Sequence, residues 1–114
     1  MSPDRPTPIV YRIGEFELDF SAFELRRGSA VLDVRPKVLD VLQHLVEHHG
    51  RLVSKDELLN EVWRGVTSDA NLSHTVMEAR KALDDNGSRQ SMIRTIRGRG
   101  YRFTGPVERS HIVA

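Results

Sequence analysis

Five arginines near the end of the chain carry the most distinctive chemistry in the sequence. They lie in residues 86–105, a stretch without Asp or Glu, and they are Arg89, Arg94, Arg97, Arg99 and Arg102. Two of them alternate with glycines in Arg97–Gly100, which predicts a narrow cationic hairpin turn. Such a turn suits the minor groove of DNA, where narrow stretches concentrate negative potential. Charges that only protect a sheet edge from aggregation would carry both signs, so the pattern favours a nucleic acid partner.

A second polar surface precedes these arginines. An apolar stripe at i, i+4, i+7 and i+11 predicts a third helix from near Ala70 or Asn71 to about Asp84, and its members are Leu72, Val76, Ala79 and Leu83. The opposite side carries side chains that suit base edges or phosphates: Asn71, Ser73, His74, Met77, Glu78, Arg80 and Lys81. Any amphipathic surface helix has a polar face, so this helix alone does not decide between DNA and solvent.

The hairpin and the only tryptophan complete the predicted site. On the first hairpin strand Thr95 and Arg97 share one face. Trp63 ends the predicted second helix, where it suits a core anchor whose indole N–H reaches a phosphate at the rim. We predict that the tip of the hairpin enters the minor groove and that Thr95, Arg99 and Trp63 contact the DNA backbone.

The elements before these features are a small sheet and two helices. Alternating apolar residues predict an antiparallel sheet over Ile9–Val34, with a bulge at Gly14 and a hairpin turn at Gly28–Ser29. The apolar period then changes at Pro36, which suits the first position of a helix capped by Gly50.

A capping box starts the second helix. Ser54 is placed to accept from a first-turn amide while Glu57 reaches back to the amide of Ser54. Leu52–Val53 before it is expected to be a short extended link. The polar segment Arg64–Asp69 then predicts a loop before the third helix.

The order sheet, three helices, hairpin predicts an α+β fold. It is that of a winged helix-turn-helix, with an N-terminal antiparallel sheet and a C-terminal hairpin, the wing, formed within Met92–Phe103. The 114 residues suit one domain. We predict a flexible lead-in over residues 1–8, the domain over residues 9–107 and a C-terminal tail without regular structure over residues 108–114.

No pattern indicates catalysis, a cofactor or a metal. Gly98 and Gly100 lack the following helix that a phosphate-binding loop needs, and no serine has a G-x-S-x-G setting. His48 and His49 are adjacent, which does not place both on one helical face, and no carboxylate stands at metal-ligand spacing. The sequence therefore predicts no enzyme, no metal and no cofactor.

Four segments of the chain carry a recognisable pattern: Leu39–Leu59, Leu58–Trp63, Val76–Leu83 and Ile93–Phe103. Together they resemble the OmpR/PhoB-type winged-helix DNA-binding domain of bacterial transcriptional regulators. The first two segments are similar to its first two helices, the third resembles its recognition helix, and the fourth closely resembles its wing signature. The similarity extends over Ile9–Val107, nearly the whole chain.

This resemblance implies a function in transcription regulation. It implies a four-stranded N-terminal sheet, a third helix in the major groove and Arg97 in the minor groove. The loop Arg64–Asp69 would contact RNA polymerase, and monomers would bind side by side on direct repeats of double-stranded DNA. The family often has basic residues where this chain has Met77 and Glu78, so its base preference is expected to differ; Glu78 suits a cytosine amino group.

The resemblance also bears on what surrounds the domain. A phospho-receiver domain usually precedes this module, and none precedes it in these residues. Asp33–Lys37 is more similar to regulators that begin with this domain and continue into a membrane or effector segment. We therefore expect either a piece of a longer regulator or a stand-alone one. The absence of cysteine fits a reducing compartment, and no secretory signal core is present. We expect a cytoplasmic location, either for the whole protein or for the cytoplasmic part of a longer one.

The charge distribution is consistent with this interpretation. The net charge of +1 combines residues 1–70, with 9 basic and 12 acidic side chains, and residues 71–114, with 8 basic and 4 acidic ones. The basic charge is therefore concentrated on the predicted DNA-binding elements. A rival interpretation is a winged helix that binds a protein instead of DNA, since Met77 and Glu78 lie on the third-helix face.

Overall fold

A computed structural model describes residues 9–111 of the chain. Its elements are β1 (Ile9–Ile13), β2 (Phe16–Asp19), β3 (Glu24–Arg27), β4 (Ala30–Val31), α1 (Pro36–Glu47), β5 (Leu52–Ser54), α2 (Lys55–Trp63), α3 (Asp69–Ala82), β6 (Ile93–Ile96), β7 (Gly100–Phe103) and β8 (Glu108–His111). The predicted α+β winged helix-turn-helix is confirmed. The predicted lead-in, residues 1–8, and the last three residues of the predicted tail lie outside the described residues.

The N-terminal sheet has the strand order β4-β3-β2-β1-β8. The predicted bulge at Gly14 is wrong, because Gly14 and Glu15 form a tight turn that pairs Ile13 directly with Phe16. A two-residue turn makes odd-numbered residues of β1 face the same side as even-numbered residues of β2. The change of parity in the sequence is therefore the signature of a hairpin. Gly14 has φ +58°, which glycine adopts without strain.

The fifth strand of this sheet, β8, was not predicted. We expected no regular structure after Pro106, yet Glu108–His111 pairs antiparallel with β1, with Tyr11 opposite Arg109. Glu108 and Arg109 are both exposed. An edge strand held by main-chain hydrogen bonds needs no apolar period, so the sequence pattern could not show it.

The first helix lies at the centre of the core. It begins at Pro36 as predicted, and it buries Val38, Leu39, Val41, Leu42, Leu45 and Val46. It packs against α2, α3 and β7. The helix ends before Gly50, since His48 is its C-cap residue. Gly50 instead takes a left-handed φ of +81° in the turn that follows, and its N–H donates to the Phe103 carbonyl at 3.0 Å.

Half of the predicted capping box forms at the start of α2. The Ser54 hydroxyl accepts from the Glu57 N–H at 3.0 Å. The Glu57 carboxylate does not reach back to Ser54; it accepts from Arg51 and lies against His44. A charged partner holds a carboxylate more strongly than a neutral amide does.

The wing is part of a three-stranded sheet with the order β5-β7-β6. The segment predicted as an extended link, Leu52–Val53, belongs to β5 and pairs with β7. A Cβ atom at Gly100 would lie 2.1 Å from the Val53 carbonyl oxygen, so only glycine fits where these strands meet. The wing is thereby attached to the segment between α1 and α2.

Candidate nucleic-acid interface

The exposed face of α3 is the first part of the candidate interface. Ser68 caps the helix by accepting from the Asn71 N–H at 3.2 Å. The helix therefore begins at Asp69, one or two residues before the predicted start. The stripe predicted to be buried is buried. Five of the seven predicted contact residues on this helix are exposed: Asn71, Ser73, His74, Met77 and Lys81. Met77 is 62% exposed, which is unusual for so apolar a side chain.

Arg80 does not belong to this face, and its placement there was wrong. Its side chain is buried, with Nε donating to the Ile93 carbonyl at 2.9 Å and a terminal nitrogen donating to the Thr95 hydroxyl at 2.7 Å. Burial lowers the pKa of Arg80, although a guanidinium stays charged. Arg80 therefore joins α3 to the first strand of the wing. Its spacing of four from Val76 placed it on the buried side from the start.

Glu78 faces a partner that the sequence pattern did not indicate. Its two carboxylate oxygens accept from Nε and a terminal nitrogen of Arg35 at 3.0 and 2.5 Å. His74, one turn earlier, lies 3.2 Å from the same carboxylate. The hydrogen bonds from Arg35 hold the pKa of Glu78 below its usual value. The acidic group on the predicted recognition face is thus paired with a cation from the segment before α1.

The wing presents the second part of the candidate interface. Arg94, Arg97 and Arg99 are all exposed, and none has an acidic partner at ion-pair distance among residues 9–111. Gly98 gives the turn its left-handed φ of +74°. Thr95 is exposed too, and its N–H donates to the Gln90 side chain at 2.8 Å. The unpaired guanidinium groups leave the wing with a net positive charge.

A buried aspartate holds the segment between α3 and the wing. Asp85 accepts from the N–H groups of Ser91 and Met92 at 3.0 and 2.9 Å and from the Ser91 hydroxyl at 2.9 Å. Burial by itself raises the pKa of Asp85, but the backbone hydrogen bonds of Met92 and Ser91 lower it to about 2. No prediction from the sequence included this role. Asp followed by Asn86–Gly87 is nevertheless a turn signal that could have shown it.

Trp63 lies in the core, as its predicted anchoring role requires. It is 9% exposed, and the Lys37 ammonium lies 5.9 Å from the ring centroid. The same ammonium donates to the Val62 carbonyl at 2.8 Å. The contact of the indole N–H with a DNA phosphate stays a prediction.

Together these elements form a helix and a cationic hairpin fixed to each other. The α3 helix has 14 residues, which corresponds to a length of about 21 Å. A helix of this kind fits the major groove of DNA, about 12 Å wide. Arg80 ties it to the wing at Thr95.

The sequence matches a family of DNA-binding domains, in agreement with this geometry. Residues 29–103 match the family model described as "Transcriptional regulatory protein, C terminal". The chain belongs to this family. It is an OmpR/PhoB-type DNA-binding domain of the kind that serves sequence-specific transcription regulation.

Individual relatives show the same similarity. The chain is 32% identical to the transcriptional activator CadC of Escherichia coli K12 over 86% of its own length and 20% of that protein. It is 34% identical to the phosphate regulon regulatory protein PhoB of Klebsiella pneumoniae over 83% of its length and 42% of that protein. The OmpR/PhoB-type domain thus spans a minor part of the curated relatives that it matches.

Two solved structures extend the comparison to the fold. The DNA-binding domain of E. coli CadC has a TM-score of 0.75 and 30% identity, and the match covers 90% of this chain and 98% of that one. The Klebsiella pneumoniae RstA DNA-binding domain in complex with the RstA box has a TM-score of 0.72 and 28% identity, with coverage of 82% and 95%. Within residues 9–111, no helix combines the length and hydropathy needed to cross a bilayer.

Proposed function

We propose that this domain binds its DNA site with α3 in the major groove and the wing in the adjacent minor groove. The observation that carries the proposal is the fixed pairing of an exposed polar helix face with an unpaired cationic hairpin, joined by the hydrogen bonds of Arg80. The RstA domain of similar fold was solved in complex with its DNA box, which supports the same mode for this chain.

The major-groove contacts divide by chemistry. The base-facing set is Asn71, Ser73, His74, Met77 and Lys81, with Glu78 acting together with Arg35. Asn suits adenine, Lys suits guanine, and Met77 offers an apolar contact to a thymine methyl group. Arg80 lies on the buried side of the helix and positions the wing through its hydrogen bonds.

The wing contacts follow from exposure and charge. Arg97 enters the minor groove, while Arg99 and Thr95 contact the DNA backbone. Thr95 accepts from Arg80 through its hydroxyl oxygen, and its own O–H stays available to a phosphate. Trp63 mainly packs in the core, and its indole N–H contacts a DNA phosphate at the rim of the interface.

Further partners are proposed from the family. The loop Arg64–Asp69 has an exposed apolar side chain, since Val66 is 82% exposed, and this supports a contact with RNA polymerase. We also propose that monomers bind side by side on direct repeats. A further effector or membrane segment and a cytoplasmic location are proposed as well. None of these roles includes catalysis.

Selection of bound sites from random double-stranded DNA tests the proposal. We expect one enriched motif, with or without a repeat. The affinity for that motif should fall with log salt at a slope near −5, if about five or six phosphates are neutralised. No enrichment, together with no gel shift at low salt, contradicts the proposal.

A protein-binding winged helix is the second candidate, favoured by the exposure of Met77. A partner whose binding survives high salt and is insensitive to Arg97→Ala would support it. Loss of partner binding in Met77→Ala, with DNA binding unchanged, would further support the protein-binding role. Sensitivity to salt and to Arg97→Ala supports DNA instead.

A further inference from the structure

A cluster of two histidines and a glutamate joins α1 to α2, outside the candidate DNA interface. His44 and His48 are spaced i, i+4 on α1, and Glu57 lies in the first turn of α2. One ligand-type atom from each of the three residues lies within 4.8 Å of the others. All three side chains are half-buried. None belongs to α3 or to the wing strands β6 and β7.

The two imidazole rings lie against each other, and the ring of His44 also contacts the carboxylate. The ring centroids of His44 and His48 are 4.5 Å apart. Nε2 of His44 lies 2.5 Å from an oxygen of Glu57. Ligand atoms this close require only small side-chain movements to surround one ion, because nitrogen and oxygen bond to first-row metals at about 2.0–2.2 Å.

The tautomer of His48 is set by its backbone contact. Nδ1 of His48 lies 2.8 Å from the carbonyl oxygen of His44, and a carbonyl only accepts, so Nδ1 carries the proton. Nε2 is then the nitrogen with a free lone pair in the neutral ring. Donation of one ring N–H to a carbonyl while the other nitrogen binds the ion is the usual arrangement of metal-bound histidine.

The carboxylate is held and ionised by Arg51. Two terminal nitrogens of Arg51 donate to the two oxygens of Glu57 at 3.1 and 2.9 Å. These hydrogen bonds, with that of His44, lower the pKa of Glu57 to about 2. A carboxylate has about four lone-pair sites, so Glu57 can keep Arg51 and still offer one oxygen to an ion. The guanidinium repels a cation, while the nearby C-terminus of α1 attracts one.

We propose that His44, His48 and Glu57 bind a first-row divalent cation, for which Zn²⁺ is the appropriate probe. Two imidazole nitrogens and one carboxylate oxygen are a donor set that zinc accepts, with water in the fourth position. The ion links the end of α1 to the start of α2 and stabilises the intervening segment. That segment contains β5, which pairs with the wing strand β7.

Calorimetric titration of the metal-free full chain with ZnCl₂ tests this site. We expect one ion per chain with micromolar or tighter affinity. A hundredfold excess over the dissociation constant is expected to raise Tm by roughly 10 °C, because the ion binds only the folded state. EDTA is expected to reverse the shift. Absence of saturable binding at one equivalent overturns the proposal and leaves the cluster as an ion-pair network.

The neighbouring histidine supplies a matched control. His49 is exposed, and its Nδ1 contacts the Val46 carbonyl at 2.9 Å, much as His48 contacts His44. We expect His48→Gln to weaken zinc binding at least tenfold and His49→Gln to leave it unchanged. Equal losses in the two variants overturn the proposal, because they indicate non-specific imidazole binding.

A spectroscopic readout separates ligation from stability. Co²⁺ bound to the wild-type chain is expected to show visible absorption of a four- or five-coordinate site, which Zn²⁺ displaces. The His44→Gln variant, checked for folding by circular dichroism, is expected to lose this absorption. A folded His44→Gln variant that keeps the same spectrum overturns the assignment.

Discussion

Arg35 and Glu78 form a two-point ion pair between the segment before α1 and the exposed side of α3, with N···O distances of 3.0 and 2.5 Å. The pair sets the charge of the proposed recognition face. With Arg35 in place the carboxylate of Glu78 is compensated, and without Arg35 it would repel DNA phosphates.

The first prediction concerns this pair. We expect Arg35→Ala to weaken binding to the selected DNA site about tenfold, because a carboxylate is left uncompensated near the backbone. Arg35→Ala/Glu78→Gln is expected to recover most of that loss, since the repulsive charge is gone. Fluorescence anisotropy at constant salt measures both. If the double variant binds as weakly as Arg35→Ala, Arg35 itself contacts the DNA.

The second prediction concerns the attachment of the wing. Arg80→Met is expected to lower the free energy of unfolding by about 2 kcal/mol, because the buried Ile93 carbonyl loses its hydrogen-bond donor. It is also expected to weaken DNA binding under conditions where the variant is fully folded. Urea unfolding with Lys81→Met as the exposed control measures the effect. Equal stability of the two variants would contradict the bridging role.

The third prediction concerns the minor groove. Arg97→Ala is expected to weaken specific binding by about 1–3 kcal/mol and to reduce the salt slope by about one unit. The side chain is exposed, so the unfolding free energy is expected to stay unchanged. Titrations across a salt series test both parts. A variant with wild-type affinity and slope would remove Arg97 from the interface.

The fourth prediction concerns acid stability. The folded-state pKa of Asp85 is about 2, against an ordinary value of 3.8. The ionised form therefore stabilises the fold by about 2 kcal/mol above pH 4, and this stabilisation is lost as the pH falls towards 2. The unfolding free energies of the wild type and of Asp85→Asn, measured from pH 5 to pH 2, are expected to converge as the pH falls. Asp84→Asn, which changes an exposed neighbour, is expected to follow the wild-type profile.

The sequence predicted the elements better than the contacts between them. Periodicity located α1, α2 and α3, because each buries an apolar face that repeats along the chain, and the glycine-bearing turn Arg97–Gly100 located the wing hairpin. The pairing of β5 with β7 and of β8 with β1 depends on main-chain groups, which carry no residue signature. The partnership of Arg35 with Glu78 spans 43 positions, and no local pattern can report it.

Arg80 shows how a polar residue misleads when only its type is considered. Its charge suggested an exposed contact with DNA, whereas its spacing from Leu72 and Val76 already placed it on the buried side. The turn at Gly14 is a different case. The apolar residues do change parity there as the sequence indicated, but a two-residue hairpin turn, which is simpler than the predicted bulge, explains the change.

The pairing of β8 with β1 has a mechanical consequence. Ile9 lies opposite His111, so the first and last described residues lie side by side at one end of the β1–β8 pair. Tension applied between Ile9 and His111 would load the β1–β8 hydrogen bonds one at a time, as in a zipper, and not all together. The outer strand would peel away at low force while α1, α3 and the wing keep their packing.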